Sequence, residues 1–198
     1  MILVIDKKKN PSLFKLYSKY VVHVPLCKGL LNKDYIKEEA VAKSHYLIVH
    51  VNLTKPTRSK TPLVELSGMG IIRKKKDHMY LDVVCAKPGI GKQILDAAAE
   101  LTKTNKMKYL ILSAMPYIIN YYRKMGFVYG KKECKLNDDL KTLNENLKHK
   151  RFKNMNGAIT NEEYKKLLLV LVQKKMTGKY CRAVGECSQV GFAMTKCV

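Results

Sequence analysis

Between Cys85 and Glu100 the chain reads CAKPGIGKQILDAAAE, with two glycines where an apolar run, MYLDVV, gives way to an alanine-rich segment of helical spacing. The chemistry available to such a junction is the seating of an anion. The first turn of a helix carries N–H groups that have no intrahelical acceptor, and the macrodipole adds positive potential there, so a phosphate group is stabilised against it. Gly89 and Gly91 let the backbone approach the anion and adopt dihedrals that other residues resist. Gly-x-Gly by itself has little specificity, and an ordinary strand-to-helix turn would read the same way.

Two familiar phosphate-binding designs fail on the neighbouring residues. A P-loop needs a glycine where Ala86 stands and a hydroxyl where Gln93 stands. A dinucleotide-binding turn needs a third glycine at the position of Ile94. Metal chemistry finds no support either: the six cysteines, Cys27, Cys85, Cys134, Cys181, Cys187 and Cys197, form no Cys-x-x-Cys pair and no short spacing with histidine. Reduced thiols are expected, with Cys85 a buried inert thiol inside an apolar strand.

The elements that hold this turn follow from periodicity. MILVID reads as a strand, NPSLFKLYSKY as a helix with Leu13, Leu16, Tyr17 and Tyr20 at helical spacing, and NKDYIKEEAVAKS as a second short helix. His45–Asn52, Leu63–Lys74 and His78–Ala86 read as strands, the last two joined by a tight basic turn, which makes a meander that feeds the glycine turn. The spacing predicts a helix over Lys92–Asn105 with Ile94, Leu95, Ala98 and Leu101 on one face, then a strand over Met107–Ala114 buried on both sides. Pro116 opens a further helix, YIINYYRKM, that stops at Gly126. Beyond it lie a polar, leucine-spaced stretch, a helix from a capping box at Thr160 to Glu163 that ends before Gly178, and a final strand in VGFAMTKCV.

With 198 residues, 46% hydrophobic and 27% charged, the chain is expected to be one globular domain. The longest later apolar run, Leu167 to Val172, falls far short of the roughly 20 residues that cross a bilayer. The N-terminus reads as a strand and not a signal peptide, so an intracellular, cytoplasmic protein without a membrane partner is expected. The 38 Lys and Arg against 16 Asp and Glu give a formal charge of +22. Such a field favours anionic partners, weak nucleic-acid association among them, although separated lysine runs also serve as solvated faces.

Meander, glycine turn, helix, buried strand and short helix ending in Gly-Phe together resemble the GNAT N-acetyltransferase superfamily. Its acetyl-CoA motif, Gln/Arg-x-x-Gly-x-Gly/Ala, falls on this turn, and its second signature, Asn-Pro-x-Ala-x-x-Leu-Tyr-x-Lys-Leu-Gly-Phe, is matched in register by MPYIINYYRKMGF at Pro116, Tyr122, Lys124, Gly126 and Phe127. The resemblance covers about residues 45–130 and, loosely, the last strand. It departs at Ala86, where the family has a basic or amide residue and Lys87 is the stand-in, and at Met115, where the family has a CoA-contacting Asn whose contact is either missing here or taken over by Asn120. Residues 135–189 have no counterpart in a minimal member and read as a helical insertion, expected to pack over the acceptor side or against a second subunit of a homodimer.

The resemblance implies an α/β fold with a mixed, largely antiparallel twisted sheet and helices on both faces. It implies acetyl-CoA as co-substrate, with no metal, and an amine that attacks the thioester directly. The backbone of Val83, Val84 and Cys85 would hold the pantetheine arm, and Gly89, Ile90, Gly91 and Lys92 would seat the pyrophosphate with help from Lys87. Tyr122 matches the general acid that protonates the departing thiolate, although it also falls on an apolar helix face. Asp82, the carboxylate inside the fourth strand, is the candidate base, with His78, Glu65 and a water chain as alternatives. The alternative function is a non-catalytic basic module of the same fold that binds nucleic acid. A charge of +22 makes a protein N-terminus, an uncharged amine or an acidic substrate an easier acceptor than a polyamine.

Overall fold

The structure, a computed structural model, describes residues 1–23, 26–27, 31, 33–54, 63–114, 118–129, 132, 134 and 192–198. These fall in two compact units, Met1–Leu110 with Val198, and Ile111–Cys197. The expected insertion and its capped helix lie outside the described residues, as do Met115 and Pro116.

In the first unit four strands run β1 (Ile2–Asp6), β2 (Tyr46–Thr54), β3 (Leu63–Lys74) and β4 (His78–Ala86) in sequence order, each antiparallel to the next. Helix α1 (Pro11–His23) and a π-helical segment (Tyr35–Val41) cover one face. Their Phe14, Val21, Ile36 and Ala40 are buried with Leu47, Val49, Met69, Ile71 and Val83 of the strands. Helix α2 (Gly91–Thr104) covers the other face, with Ile94, Leu95, Ala98, Ala99 and Thr102 buried. Successive strand residues point to opposite faces, so a strand with helices on both sides must be apolar throughout, and β2 reads YLIVHV for that reason.

Two extra residues break the ladders. His50 pairs with Gly68 and Val51 with Leu66, which leaves Ser67 unopposed. Ile71 pairs with Val83 and Ile72 with Leu81, which leaves Asp82 unopposed. Each bulge increases the local twist and re-aims the side chains beyond it. Ser67 is buried and its Oγ lies 2.5 Å from His50 Nδ1, so the polar pair satisfies itself inside the sheet.

The second unit holds most of β5 (Tyr109–Ala114), then α3 (Ile119–Lys124), β6 (Val128–Tyr129) and β7 (Phe192–Cys197), with β7 between β5 and β6. Helix α3 ends in a Schellman motif: Gly126 has φ +85°, its N–H donates to Arg123 O and the Phe127 N–H donates to Tyr122 O. The sequence places this stop at the same glycine.

The structure settles which stripe of α1 is buried and corrects one expectation, that of reduced thiols. The helical spacing of α1 holds, but Leu13, Leu16 and Tyr20 face solvent while Phe14 and Val21 are buried. Phe14, Tyr17 and Val21 form an equally regular stripe, and burying the larger Phe ring with Val removes more apolar area from water. The reduced-thiol expectation is overturned: Cys27 is bonded to Cys85 and Cys134 to Cys197. Separations of 58 and 63 residues leave no local spacing to read, because the pairs meet only when the sheet forms. Cys85 therefore ties β4 to the segment after α1, where an inert thiol was expected.

Gly70 lies beneath α2, and a Cβ there would stand 2.9 Å from Ile94 Cγ2. Gly70→Val should destabilise the fold by roughly 1–3 kcal/mol through overpacking, read as a lower urea midpoint at unchanged slope. Unchanged stability would mean that α2 does not rest on this strand.

Candidate functional site

The glycine turn is where β4 hands the chain to α2. The Lys87 N–H donates to Ser67 O at 2.8 Å, and the Ile90 N–H donates to Lys87 O at 3.2 Å, which closes the turn over residues 87–90. Gly89 has φ +84°, a conformation that favours glycine, and a Cβ built there would meet nothing within 4 Å. Among the described residues, nothing crowds the front of the turn at Gly89. The N-cap of α2, Ile90, makes no side-chain hydrogen bond to the first turn of the helix. Behind the turn, Ile90 Cγ2 would lie 2.8 Å from a Cβ at Gly68, so the missing side chain of Gly68 is what lets the turn sit down on β3.

The lysines beside this cradle are each held by a carboxylate. Lys87 pairs with Glu65 and Lys92 Nζ lies 2.5 Å from Asp96. The Lys87 ammonium draws the Glu65 carboxyl below its usual range. Both pairs are half-exposed and solvent-screened, so either ammonium can swing to a bound anion at little cost.

Val83 is buried, while Val84 and Cys85 are half-buried at the end of β4 nearest the turn. Between them and the start of β4 stands Asp82 on its bulge. Its side chain is 3% exposed, and both oxygens accept hydrogen bonds: Oδ2 from Arg73 Nε at 2.7 Å and from Arg73 Nη2, Oδ1 from the Tyr35 hydroxyl at 2.9 Å. Burial first, and then the Asp82 charge and hydrogen bond, push the Tyr35 phenol well above its usual value. His78 is buried with Nδ1 at 2.7 Å from Asp77.

In the second unit Tyr122 is buried on α3. Its ring is edge-on to Tyr121 at 5.6 Å and to Phe127 at 5.7 Å. Asn120 falls in the first turn of α3, and its side chain lies outside what the structure describes.

The first unit thus brings Val83, Val84, Cys85, Lys87, Gly89, Ile90, Gly91 and Lys92 into one continuous stretch. It also shows three residues that sequence reasoning missed. Gly68 carries a signal, since SGMG inside a strand marks a close backbone approach. Tyr35 and Arg73 carry none, because their meeting with Asp82 depends on the bulge and on the placement of the π-helical segment. No group of three or more potential metal ligands occurs among the described residues.

Neither a known family pattern nor a curated protein sequence matches the chain. Among solved structures, Tetrahymena Gcn5 is similar over 100% of this chain and 96% of its own, at 12% identity and TM-score 0.51. Rv2747 from Mycobacterium tuberculosis, in complex with CoA and NLQ, aligns over 100% of this chain and 99% of its own at 13% identity and TM-score 0.45. The catalytic domain of Tetrahymena Gcn5 histone acetyltransferase in complex with coenzyme A aligns over 67% and 79%, at 13% identity and TM-score 0.46. The likeness to Gcn5 is one of fold: a mixed, mostly antiparallel sheet with helices.

The Arg73–Asp82 pair is buried, so removing one partner strands the other. Asp82→Asn should cost about 3–5 kcal/mol and Tyr35→Phe only about 1 kcal/mol, compared by urea denaturation at neutral pH. Equal, near-zero losses would mean that Asp82 is solvated and not held by Arg73.

Proposed function

We propose that this chain, which has the GNAT fold, is an acetyl-CoA-dependent acyltransferase that moves an acetyl group to an amine by direct attack on the thioester. The observation that carries the reading is the turn at Gly89: positive φ, no described atom within 4 Å of a Cβ there, and the start of α2 directly behind it, at the end of a β-meander. These features fit a pyrophosphate. The reading takes the chain as one acetyltransferase domain.

Acetyl-CoA supplies the thioester carbon: the C–N bond forms as the C–S bond breaks, the amine loses one proton and CoA departs as a thiol with one. The residues of this chain do the rest. Backbone N–H groups of Gly89 to Lys92 hold the pyrophosphate, and Lys87 and Lys92 exchange their carboxylates for phosphate oxygens. The backbone of Val83, Val84 and Cys85 aligns the pantetheine arm and offers an N–H to the carbonyl oxygen as it gains charge, an effect worth roughly 2.7–4 kcal/mol per donor. Asn120 stands in for the amide contact that Met115 cannot make.

Tyr122 is the acid. A phenol O–H can give its proton to a thiolate as the thiolate leaves. For the amine proton, Asp82 is poorly disposed, since both oxygens already accept hydrogen bonds from Arg73 and Tyr35. We assign it to holding the bulge beside Val83 and leave the proton to water.

The acceptor follows from charge. An ammonium-bearing polyamine meets a field of +22 and is repelled, whereas an uncharged amine, a protein N-terminus or an acidic substrate is not.

Tyr122→Phe removes one hydroxyl and keeps the ring that packs on Tyr121 and Phe127. Release of CoA with a competent amine, found by screening small amines and N-terminal peptides, should fall roughly 10²–10⁴-fold. Acetyl-CoA affinity by calorimetry should stay within a few-fold. Turnover within a few-fold of the parent, with a lowered melting temperature, would make Tyr122 a core residue only.

A further inference from the structure

The lysine excess is concentrated in space by the topology of the first unit. Because β1 to β4 are antiparallel neighbours, the turn after β1, the start of β2 and the β3–β4 turn share one end of the sheet. The α2 C-terminus reaches the same end, where Asn105 Oδ1 accepts from both the Tyr46 hydroxyl and Lys74 Nζ at 3.1 Å. Lys7, Lys8 and Lys9 therefore come together with Lys74, Lys75 and Lys76, all exposed. His45 stands between the two turns: its carbonyl accepts from the Lys7 N–H and its Nδ1 from the Lys74 N–H. Burial first, then the charges of Lys7, Lys75, Lys8 and Lys74, hold this imidazole below its usual pKa. The acidic groups of this end are engaged locally, Asp6 with the Lys8 and Lys9 N–H groups, Asp77 with His78 and Glu39 with Lys43.

We propose that this end of the sheet is a docking surface for double-stranded nucleic acid, bound through its phosphates. The turns lie two and a half strand spacings apart, about 12 Å at about 4.8 Å per strand, which is close to the roughly 12 Å width of the B-form major groove. Lysine contributes compact point charges suited to phosphate and offers no planar fork for reading base edges, so the binding is sequence-independent. Single strands are disfavoured because they need open aromatic platforms. Here Phe14 and Tyr46 are buried, Lys7 lies over the Phe14 ring and Lys108 over Tyr109. A membrane surface is disfavoured because the exposed Leu53 and Val64 lie at the far end of the β2–β3 pair, which leaves Leu13 and Leu16 at the start of α1 as too small an apolar face beside the lysines to insert. The surface is independent of the acetyl-CoA reading, since Gly68 beneath the glycine turn is six residues along β3 from Lys74, about 20 Å away.

The test compares two full-length variants that each remove four positive charges. One replaces Lys8, Lys9, Lys75 and Lys76 with Gln, and the control replaces Lys15, Lys19, Lys33 and Lys37, also exposed and on α1 or near the π-helical segment. Fluorescence anisotropy with a random-sequence 20-base-pair DNA duplex follows affinity from 50 to 200 mM salt. The parent should lose affinity on the order of 10²-fold over that range, as expected for about four phosphate contacts. The first variant should bind at least tenfold more weakly with a salt slope smaller by about 3 to 4, and the control should stay within twofold of the parent. Equal losses in both variants would reduce the effect to net charge and overturn the proposal. So would absence of duplex binding by the parent at 50 mM salt, or capture by phosphatidylserine vesicles in its place. Melting temperatures close to the parent's verify that both variants are folded.

Discussion

Ile90 rests on the bare backbone of Gly68, and the rest of the candidate site depends on that contact. A side chain at Gly68 would collide with Ile90 at 2.8 Å, and one at Gly70 would collide with Ile94 at 2.9 Å. The two glycines make a shallow trough in β3 into which the turn and the first turn of α2 descend. With Ile90 and Ile94 anchored there, Gly89 takes its positive φ with no described atom within 4 Å of where a Cβ would stand. The proposed anion seat would thus be made by the absence of side chains in a strand some twenty residues earlier in the chain, as much as by the glycines of the turn itself.

The bulges add a second constraint. Ser67 and Asp82 are the extra residues in β3 and β4, and each is fixed by a polar partner that satisfies it: His50 for Ser67, Arg73 and Tyr35 for Asp82. Lys87 binds the carbonyl of Ser67, so the bulge of β3 is wired to the start of the glycine turn. The Cys27–Cys85 bond pins β4 from the other face. Strand, turn and helix are held from both sides at the place where a bound cofactor would need a fixed backbone.

Much of this was legible in the sequence where the signal was local. The β3 and β4 boundaries, the start of α2 and the stop at Gly126 follow from alternation, Gly-x-Gly and the positive-φ glycine after a helix. What stayed hidden was set by meetings between distant residues. The burial of Phe14 in place of Leu16 depends on which stripe of α1 meets the sheet, and two stripes are equally regular. The disulfides join residues 58 and 63 apart, and the Tyr35–Asp82–Arg73 cluster joins three elements through a bulge that alternation does not announce. The lysine runs were visible as composition, but their convergence on one end of the sheet needed the antiparallel order of four strands.

The most direct test of the account is a CoA titration followed by backbone amide resonances of the ¹⁵N-labelled full chain. If the turn seats the pyrophosphate, the largest shifts fall on Gly89, Ile90, Gly91 and Lys92, with a second group at Val83 to Cys85, and the lysine turns at the far end of the sheet stay unmoved. Shifts spread over Lys7 to Lys9 and Lys74 to Lys76, with the glycine amides unchanged, would mean that CoA is held only as an anion on a basic surface and would contradict the central claim.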